Sequence, residues 1–214
     1  MEVKEMETPR VTIRPAFRRE AAYFWRQIYH SRAWKQFDAP YIPLEPVSFW
    51  SFRFGLFRRF IVGDSAKVIC VDERPVGYVT FYWEDKRTRW LEVGITIFDP
   101  ADWGRGIGRR ALTLWVDELF RCQTLNRIGL TTWSGNPGMM CCAKALGMKE
   151  EGRLRSVRFF QGEYYDALRF GVLREEWYGL HHASTQPGIH SVSLDAQPVP
   201  LAAASTMHKH HTLV

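Results

Sequence analysis

Gly104, Gly106 and Gly108 alternate through residues 99–112, with Arg105, Arg109 and Arg110 set among them. A residue without a Cβ lets neighbouring backbone N–H groups turn toward one anion. An apolar alternating stretch precedes this segment and an amphipathic one follows. The glycines therefore fall where a strand would hand over to a helix, whose N-terminus adds unpaired donors and partial positive charge. With three arginines alongside, the segment has the chemistry of a phosphate cradle. A Walker A loop needs Lys-Ser or Lys-Thr after its last glycine, and a dinucleotide fingerprint needs G-x-G-x-x-G. The spacing here is G-x-G-x-G, so neither fits. A glycine-rich turn with solvated arginines is the plainer alternative.

Glu92 is the second residue type that could do chemistry. Leu91, Val93, Ile95 and Ile97 alternate with Trp90, Glu92, Gly94 and Thr96, which predicts a strand over residues 90–98. A carboxylate on such a strand is costly unless it is solvated or partnered. Two readings satisfy this: a proton acceptor or substrate anchor facing a cleft, and a structural salt bridge. Imidazole chemistry is restricted, because six of the seven histidines lie in residues 181–214 and His30 alone belongs to the body. The four cysteines, Cys70, Cys122, Cys141 and Cys142, form no C-x-x-C pair. Reduced thiols and no metal site are expected.

The elements that must position these groups alternate. Strands are predicted at residues 11–15, 67–71, 76–83, 90–98, 127–133, 148–160 and 164–172. Helices are predicted at 17–34, 47–60, 106–120 and 136–146. Residues 72–75 read as a turn, and Gln161-Gly162-Glu163 closes a final hairpin. Gly94, in mid-strand, marks either a bulge with close backbone approach or a tolerated glycine. The fold class is α+β, in a single domain over residues 10–180. Residues 1–9 read as a flexible N-terminus and 181–214 as an unstructured tail rich in His, Ala, Ser and Pro.

Of the 214 residues, 46% are apolar and 24% charged, enough for a full core and against wholesale disorder. No apolar run approaches the ~20 residues of a spanning helix. The N-terminus lacks an apolar signal region, so a cytoplasmic location is expected. A formal charge of +6 favours an anionic partner without choosing it.

Residues 99–112 resemble the pyrophosphate loop of the GNAT acetyltransferase superfamily, Q/R-x-x-G-x-G/A. Gly106 and Gly108 match, and Trp103 stands where Gln or Arg is usual. The Trp-Gly-x-Gly version is similar to the RimJ/RimL-type branch. Asn136-Pro137-Gly138 through Ala145-Leu146-Gly147-Met148 resembles the second cofactor motif, and Tyr165 through Trp177 resembles the last strand of that branch and its exit. The resemblance runs over residues 10–177.

It implies a mostly antiparallel, splayed central sheet flanked by helices, with acetyl-CoA as cosubstrate. Residues 90–98 and 127–133 would splay around the pantetheine arm. Ile95, Phe98, Trp103, Gly104, Arg105, Gly106, Ile107, Gly108, Arg109 and Asn136 would bind the cofactor. The Ile97 N–H would face the thioester oxygen at a bulged strand, and Glu92 would take a proton from the amine. Asn136 could equally be a plain helix cap. Many relatives place a Tyr seven residues after that Asn to protonate the leaving thiolate, whereas this chain has Ala143. Cys142 and Tyr165 have the wrong spacing, so no general acid is assigned.

The expected function is N-acetylation of a primary amine, a protein N-terminus or a small polyamine-like molecule. Trp83, Glu84, Tyr164 and Asp166 are expected to line the acceptor site, with Tyr82, Asp85 and Tyr165 as further candidates, since acidic groups beside aromatic rings suit a cation. A homodimer is compatible with this reading, and no membrane partner is expected. A non-catalytic coenzyme A-binding module is the alternative, because Ala143 lacks a hydroxyl. A nucleic-acid binder, motivated by Phe52, Phe54 and Phe57 among Arg53, Arg58 and Arg59, is the weaker one.

Overall fold

The computed structural model of the chain describes residues 9–181. The expected N-terminal segment and tail lie outside the described residues, except for Pro9 and His181. Seven strands form one sheet: β1 (Val11–Arg14), β2 (Ala66–Val71), β3 (Arg74–Asp85), β4 (Trp90–Ile97), β5 (Arg127–Trp133), β6 (Lys149–Phe160) and β7 (Glu163–Leu173). Their order is β1-β2-β3-β4-β5-β7-β6. Every neighbouring pair is antiparallel except β4 and β5, which are parallel. The hairpin turns are tight. Asp72 and Glu73 (φ 47° and 66°), and Gln161 and Gly162 (φ 51° and 86°), are left-handed pairs. That backbone matches the strand twist.

Each sheet face carries its own core. On one face lie α4 (Ile107–Cys122), α5 (Pro137–Ala145) and α6 (Arg174–His181). Ile107, Ala111, Trp115 and Leu119 of α4 bury against Val79, Phe81, Leu91 and Val93. The other face is covered by α1 (Ala21–Tyr29), α2 (Phe49–Phe54) and α3 (Phe57–Val62). There Phe24, Phe52, Phe57, Phe60, Tyr78 and Phe98 form an aromatic core.

Several helices differ from expectation. The predicted 17–34 helix ends at Tyr29. The Arg26 carbonyl accepts from both His30 and Ser31 N–H, and the Trp34 indole donates to the Gln27 carbonyl at 3.1 Å. Trp34 caps the helix it was expected to extend. The predicted 47–60 helix is cut at Gly55, where a Cβ would lie 2.7 Å from the Ser51 carbonyl oxygen. Phe52 and Phe57 face inward, Arg59 donates to the Phe81 carbonyl and Arg53 to the Arg18 carbonyl. Of the rings and cations that motivated a nucleic-acid binder, Phe52, Phe57 and Arg59 are engaged inside the fold, while Phe54 and Arg58 remain exposed. Helix α6 was not anticipated. Trp177 anchors it, fully buried, with its indole 2.6 Å from Asp117 Oδ1. His181 belongs to α6 and not to a tail, with its ring 3.9 Å from that of Trp177.

A close backbone approach lies at Gly77. Strands β3 and β4 stay in unbroken register from Gly77↔Ile97 to Trp83↔Leu91, so Gly94 marks no bulge in that pairing. A Cβ on Gly77 would stand 2.0 Å from the Thr96 carbonyl oxygen. Backbone on both sides cannot give way cheaply. Gly77→Ala should therefore destabilise the protein by about 2 kcal/mol or more, read as a lowered urea midpoint. An unchanged midpoint would contradict this packing.

Candidate functional site

The sheet opens in its middle. Strands β4 and β5 pair at Leu91↔Ile128 and Glu92↔Gly129 and then part. Beyond that point β4 is held by β3 and β5 by β7, so their facing edges form a fork. The polarity of the β4 edge follows from one bond. Phe98 N–H donates to the Val76 carbonyl, and Ile97 lies opposite Gly77. Alternation then turns the N–H and C=O groups of Ile97 and Ile95 away from β3 and into the fork.

Glu92 sits at the crotch, where the β4–β5 ladder ends. It has no solvent exposure. Tyr82 of β3 and Thr131 of β5 donate to its Oε2 at 2.9 and 2.6 Å, and Arg169 of β7 pairs with its Oε1 at 3.0 Å. This is the salt-bridge arrangement that the sequence left open beside proton acceptance. Burial, then the adjacent Glu92 charge, pushes the Tyr82 phenol up, so it stays a donor. One carboxylate fastens four strands where their backbone ladder is incomplete.

The glycine segment follows β4 directly. Gly104 and Gly106 take left-handed backbone, φ 70° and 73°. Gly106 is the N-cap of α4 and provides no side-chain cap, so the first-turn N–H groups point outward unshielded. An added Cβ on Gly108 would come 3.7 Å from Ile97 Cδ1, 3.8 Å from Ile95 Cδ1 and 3.9 Å from Cys142 Sγ. The fork, the start of α4 and α5 therefore converge there. The arginines are not equivalent. Arg105 pairs with buried Asp102 at 3.3 Å, which also takes Arg74 at 2.8 Å, and Arg110 donates to the Pro9 carbonyl. Arg109 is exposed and makes no ion pair among the described residues.

Trp103 and Phe37 bridge the open end. The Trp103 indole donates to the Ile97 carbonyl at 2.9 Å, and its ring meets Phe37 edge-on at 5.3 Å. The Phe37 carbonyl accepts from Trp133 Nε1 of β5 at 2.7 Å and Asn136 Nδ2 at 3.2 Å. Asn136 is also an N-cap, accepting from Met139 N–H at 2.9 Å, so its side chain is committed within the fold. Phe98 and Ile107 are core side chains, and only their backbone can meet a ligand. Ala143 is buried without a hydroxyl, as expected, but Cys142 stands at the fork despite its spacing. Burial pushes its thiol up to about 11, so it keeps its proton at neutral pH. Tyr165 turns its hydroxyl to Glu163 at 3.0 Å.

The four expected acceptor-site residues do not converge. Trp83 lies in register with Leu91, Ile128 and Val172, below the crotch, while Asp166 is six residues along β7 from Val172. At ~3.3 Å per residue the separation along the sheet is roughly 20 Å. Trp83 also packs on the α4 side, so Glu84 points to the opposite face. Tyr164 is 67% exposed, and Asp166 is bound to Arg153 and the Ser156 N–H. What sequence reasoning missed is the loop over the mouth, where Phe37 and Tyr41 meet Trp133 and Asp38 lies between them in the chain. The Tyr41 ring lies 5.6 Å from Trp133, and burial pushes the Asp38 carboxyl up to about 7. Clustered aromatic residues beside an acid in a predicted loop were the available signal.

Residues 10–149 match the family described as Acetyltransferase (GNAT) domain. The chain is 27% identical over 124 residues to the SPbeta prophage-derived uncharacterized N-acetyltransferase YokL of Bacillus subtilis (strain 168), covering 58% of this chain and 66% of that protein. YdaF of the same organism is 26% identical over 103 residues, covering 48% of this chain and 56% of that protein. The chain thus spans less than two thirds of either relative. Among solved structures, RimL, a ribosomal L7/L12 alpha-N-protein acetyltransferase in complex with coenzyme A, superposes with a TM-score of 0.62 at 16% identity, covering 76% of this chain and 93% of that one. Mycobacterium smegmatis RimJ in complex with CoA-disulfide gives 0.61 at 23%, covering 78% and 83%. A spermidine/spermine N-acetyltransferase, SpeG from Vibrio cholerae, gives 0.60 at 23%, covering 80% and 99%. At these identities the structures speak for the fold. The forked sheet, the left-handed glycine turn ahead of α4 and the match over residues 10–149 place this chain in the GNAT acetyltransferase family.

Proposed function

We propose that this protein moves an acetyl group from acetyl-CoA to a primary amine by direct attack within a ternary complex. The observation that carries the proposal is the fork between β4 and β5, whose unpaired edges lead straight to the uncapped start of α4. Coenzyme A fits both halves of this geometry. Its pantetheine arm is amide-bearing and can pair with the free edge groups of Ile95, the Ile97 carbonyl being taken by Trp103. Its pyrophosphate suits the N–H groups of residues 104–109 with Arg109 beside them, and a Cβ on Gly104 would touch nothing within 4 Å, so approach is open. Trp103 fixes the rim of this cradle, and Arg105, half exposed beside Asp102, borders it.

In this reading the acetyl group lies near the Ile97 N–H, which stabilises the oxyanion formed as the amine attacks. The C–S bond breaks as the C–N bond forms. Cys142 stands on the same side with its thiol protonated, a weak hydrogen-bond donor for the departing sulfur rather than its proton source. Glu92 clamps the fork and does not accept the proton, because three donors occupy it and no solvent reaches it. The acceptor is a protein N-terminus or a polyamine-like amine. Similarity to RimL and RimJ supports the former and a RimJ/RimL-type placement, and similarity to SpeG supports the latter. Ala143 favours a second reading, a coenzyme A-binding module without turnover.

A thiol-release assay with acetyl-CoA, spermidine and short peptides with free N-termini separates the two readings: release with any of these amines supports transfer, and none supports the binding module. Gly106→Val should raise the acetyl-CoA Kd at least tenfold by calorimetry, since a β-branched residue strains a φ of 73° and shields the cradle. Unchanged affinity would reject the cradle. Glu92→Gln should lower stability by about 2 kcal/mol in urea, discounted because Arg169 is 45% exposed. Turnover per folded molecule should fall less than tenfold, and a larger fall would restore Glu92 as the base.

A further inference from the structure

An acceptor amine arrives as an ammonium ion and must lose a proton before its nitrogen can attack. Glu92 is tied into the crotch, so the proton needs another destination. We propose that Asp38 takes it: its carboxylate stands at the mouth of the fork, on the face opposite α4, with no hydrogen bond or ion pair from any described side chain. The inference rests on the acetyl transfer proposed above and names the residue that activates the acceptor.

The placement follows from the clamp on the preceding residue. The Phe37 carbonyl is bonded to Trp133 and Asn136 on the β5 side, and its ring meets Trp103, which holds the Ile97 carbonyl at the end of β4. Asp38 follows Phe37 directly, so its backbone is held at the open end of the fork, and its carboxylate acts on Tyr41 of the same loop. Its charge reaches Tyr78 of β3, which pairs across with Thr96, the neighbour of Ile97. On this same face the hydroxyls of Tyr78, Thr80 and Thr96 are buried, Tyr78 and Thr96 side by side within hydrogen-bonding reach and Thr80 without a partner among the described residues. Such groups are costly to leave unpaired. Together they supply acceptors for an ammonium ion or for a relayed proton, and the rings of Tyr41 and Trp133 supply π faces.

The surrounding charges are few. Lys35 Nζ donates to the Asp38 and Ala39 carbonyls and so lies on the same turn, with Arg32 close by. Arg158 of β6 sits over the Tyr41 ring at 5.1 Å. Tyr29 of α1 and Arg59 of α3 act on Tyr78. Burial outweighs Lys35 and holds the Asp38 carboxyl at about 7. That value suits proton transfer at neutral pH. The step balances: the Asp38 carboxylate takes one proton from R–NH3+, the freed amine forms the C–N bond, and the C–S bond breaks. The second amine proton goes to the thiolate, and Asp38 returns its own proton to solvent.

The test compares wild type, Asp38→Asn and Asp38→Glu on spermidine and on peptides with free N-termini, across pH 5.5–9. Asp38→Asn should lose about 100-fold in kcat/KM at pH 7, with acetyl-CoA affinity within twofold. The wild-type limb that rises with pH near 7 should vanish, and Asp38→Glu should restore part of both rate and limb. Because ionising this carboxyl opposes folding as pH rises through its folded value, Asp38→Asn should melt no lower than wild type at pH 8. A lower melting temperature with equal losses in rate and cofactor affinity would mean a structural role and overturn the inference. Full activity with the limb intact in Asp38→Asn would overturn it too, leaving acetyl transfer standing. Wild type without thiol release on any of these amines would overturn both.

Discussion

Everything at this site depends on keeping two parallel strands joined at one end and apart at the other. The backbone ladder between β4 and β5 extends over two pairs, too little to hold a sheet by itself. Glu92 supplies what the ladder does not, because its carboxylate gathers Tyr82, Thr131 and Arg169 from three other strands. A buried charge is expensive unless fully partnered, and the partners available here are those that must stay together. The demand for satisfaction thus locates the crotch, and the edges above it stay free.

The open end is held by aromatic side chains used as hydrogen-bond donors. Trp103 and Trp133 each send an indole N–H to a backbone carbonyl, Ile97 on one tine and Phe37 on the loop that spans to the other. A flat, stiff donor fixes a carbonyl with little entropy loss. The basic character of the cradle is narrower than the run of arginines implies. Asp102 takes up Arg74 and Arg105, and Arg110 reaches the Pro9 carbonyl. Backbone dipoles and Arg109 remain for an incoming anion, which favours recognition by geometry over bulk charge.

Strands were legible because period-two alternation and turn residues are local signals. All seven fell within a few residues of their expected positions, and the fork was anticipated from the family resemblance together with the glycine turn. The helices at 17–34 and 47–60 were read too long because their periodicity continues past the true ends. What ends the first is a cap from Trp34, and what ends the second is the non-helical backbone of Gly55, φ −97° and ψ −101°. The acceptor-side residues were the poorest reading. Trp83, Glu84, Tyr164 and Asp166 look alike in composition, yet strand register sets them on different faces and at different ends of the sheet.

The sequence by itself determined the order of the strands, the bare glycine segment ahead of α4 and the missing hydroxyl at Ala143, since each depends on a residue's own backbone or side-chain chemistry. The tertiary structure alone decided that Glu92 is bonded to three other strands, and that Asn136 and two of the arginines have partners within the fold. Those outcomes turn on which distant groups arrive within hydrogen-bonding range. Partners separated by 39 residues, as for Thr131 and Glu92, or 96, as for Trp133 and Phe37, are brought together by packing and leave no mark on local sequence.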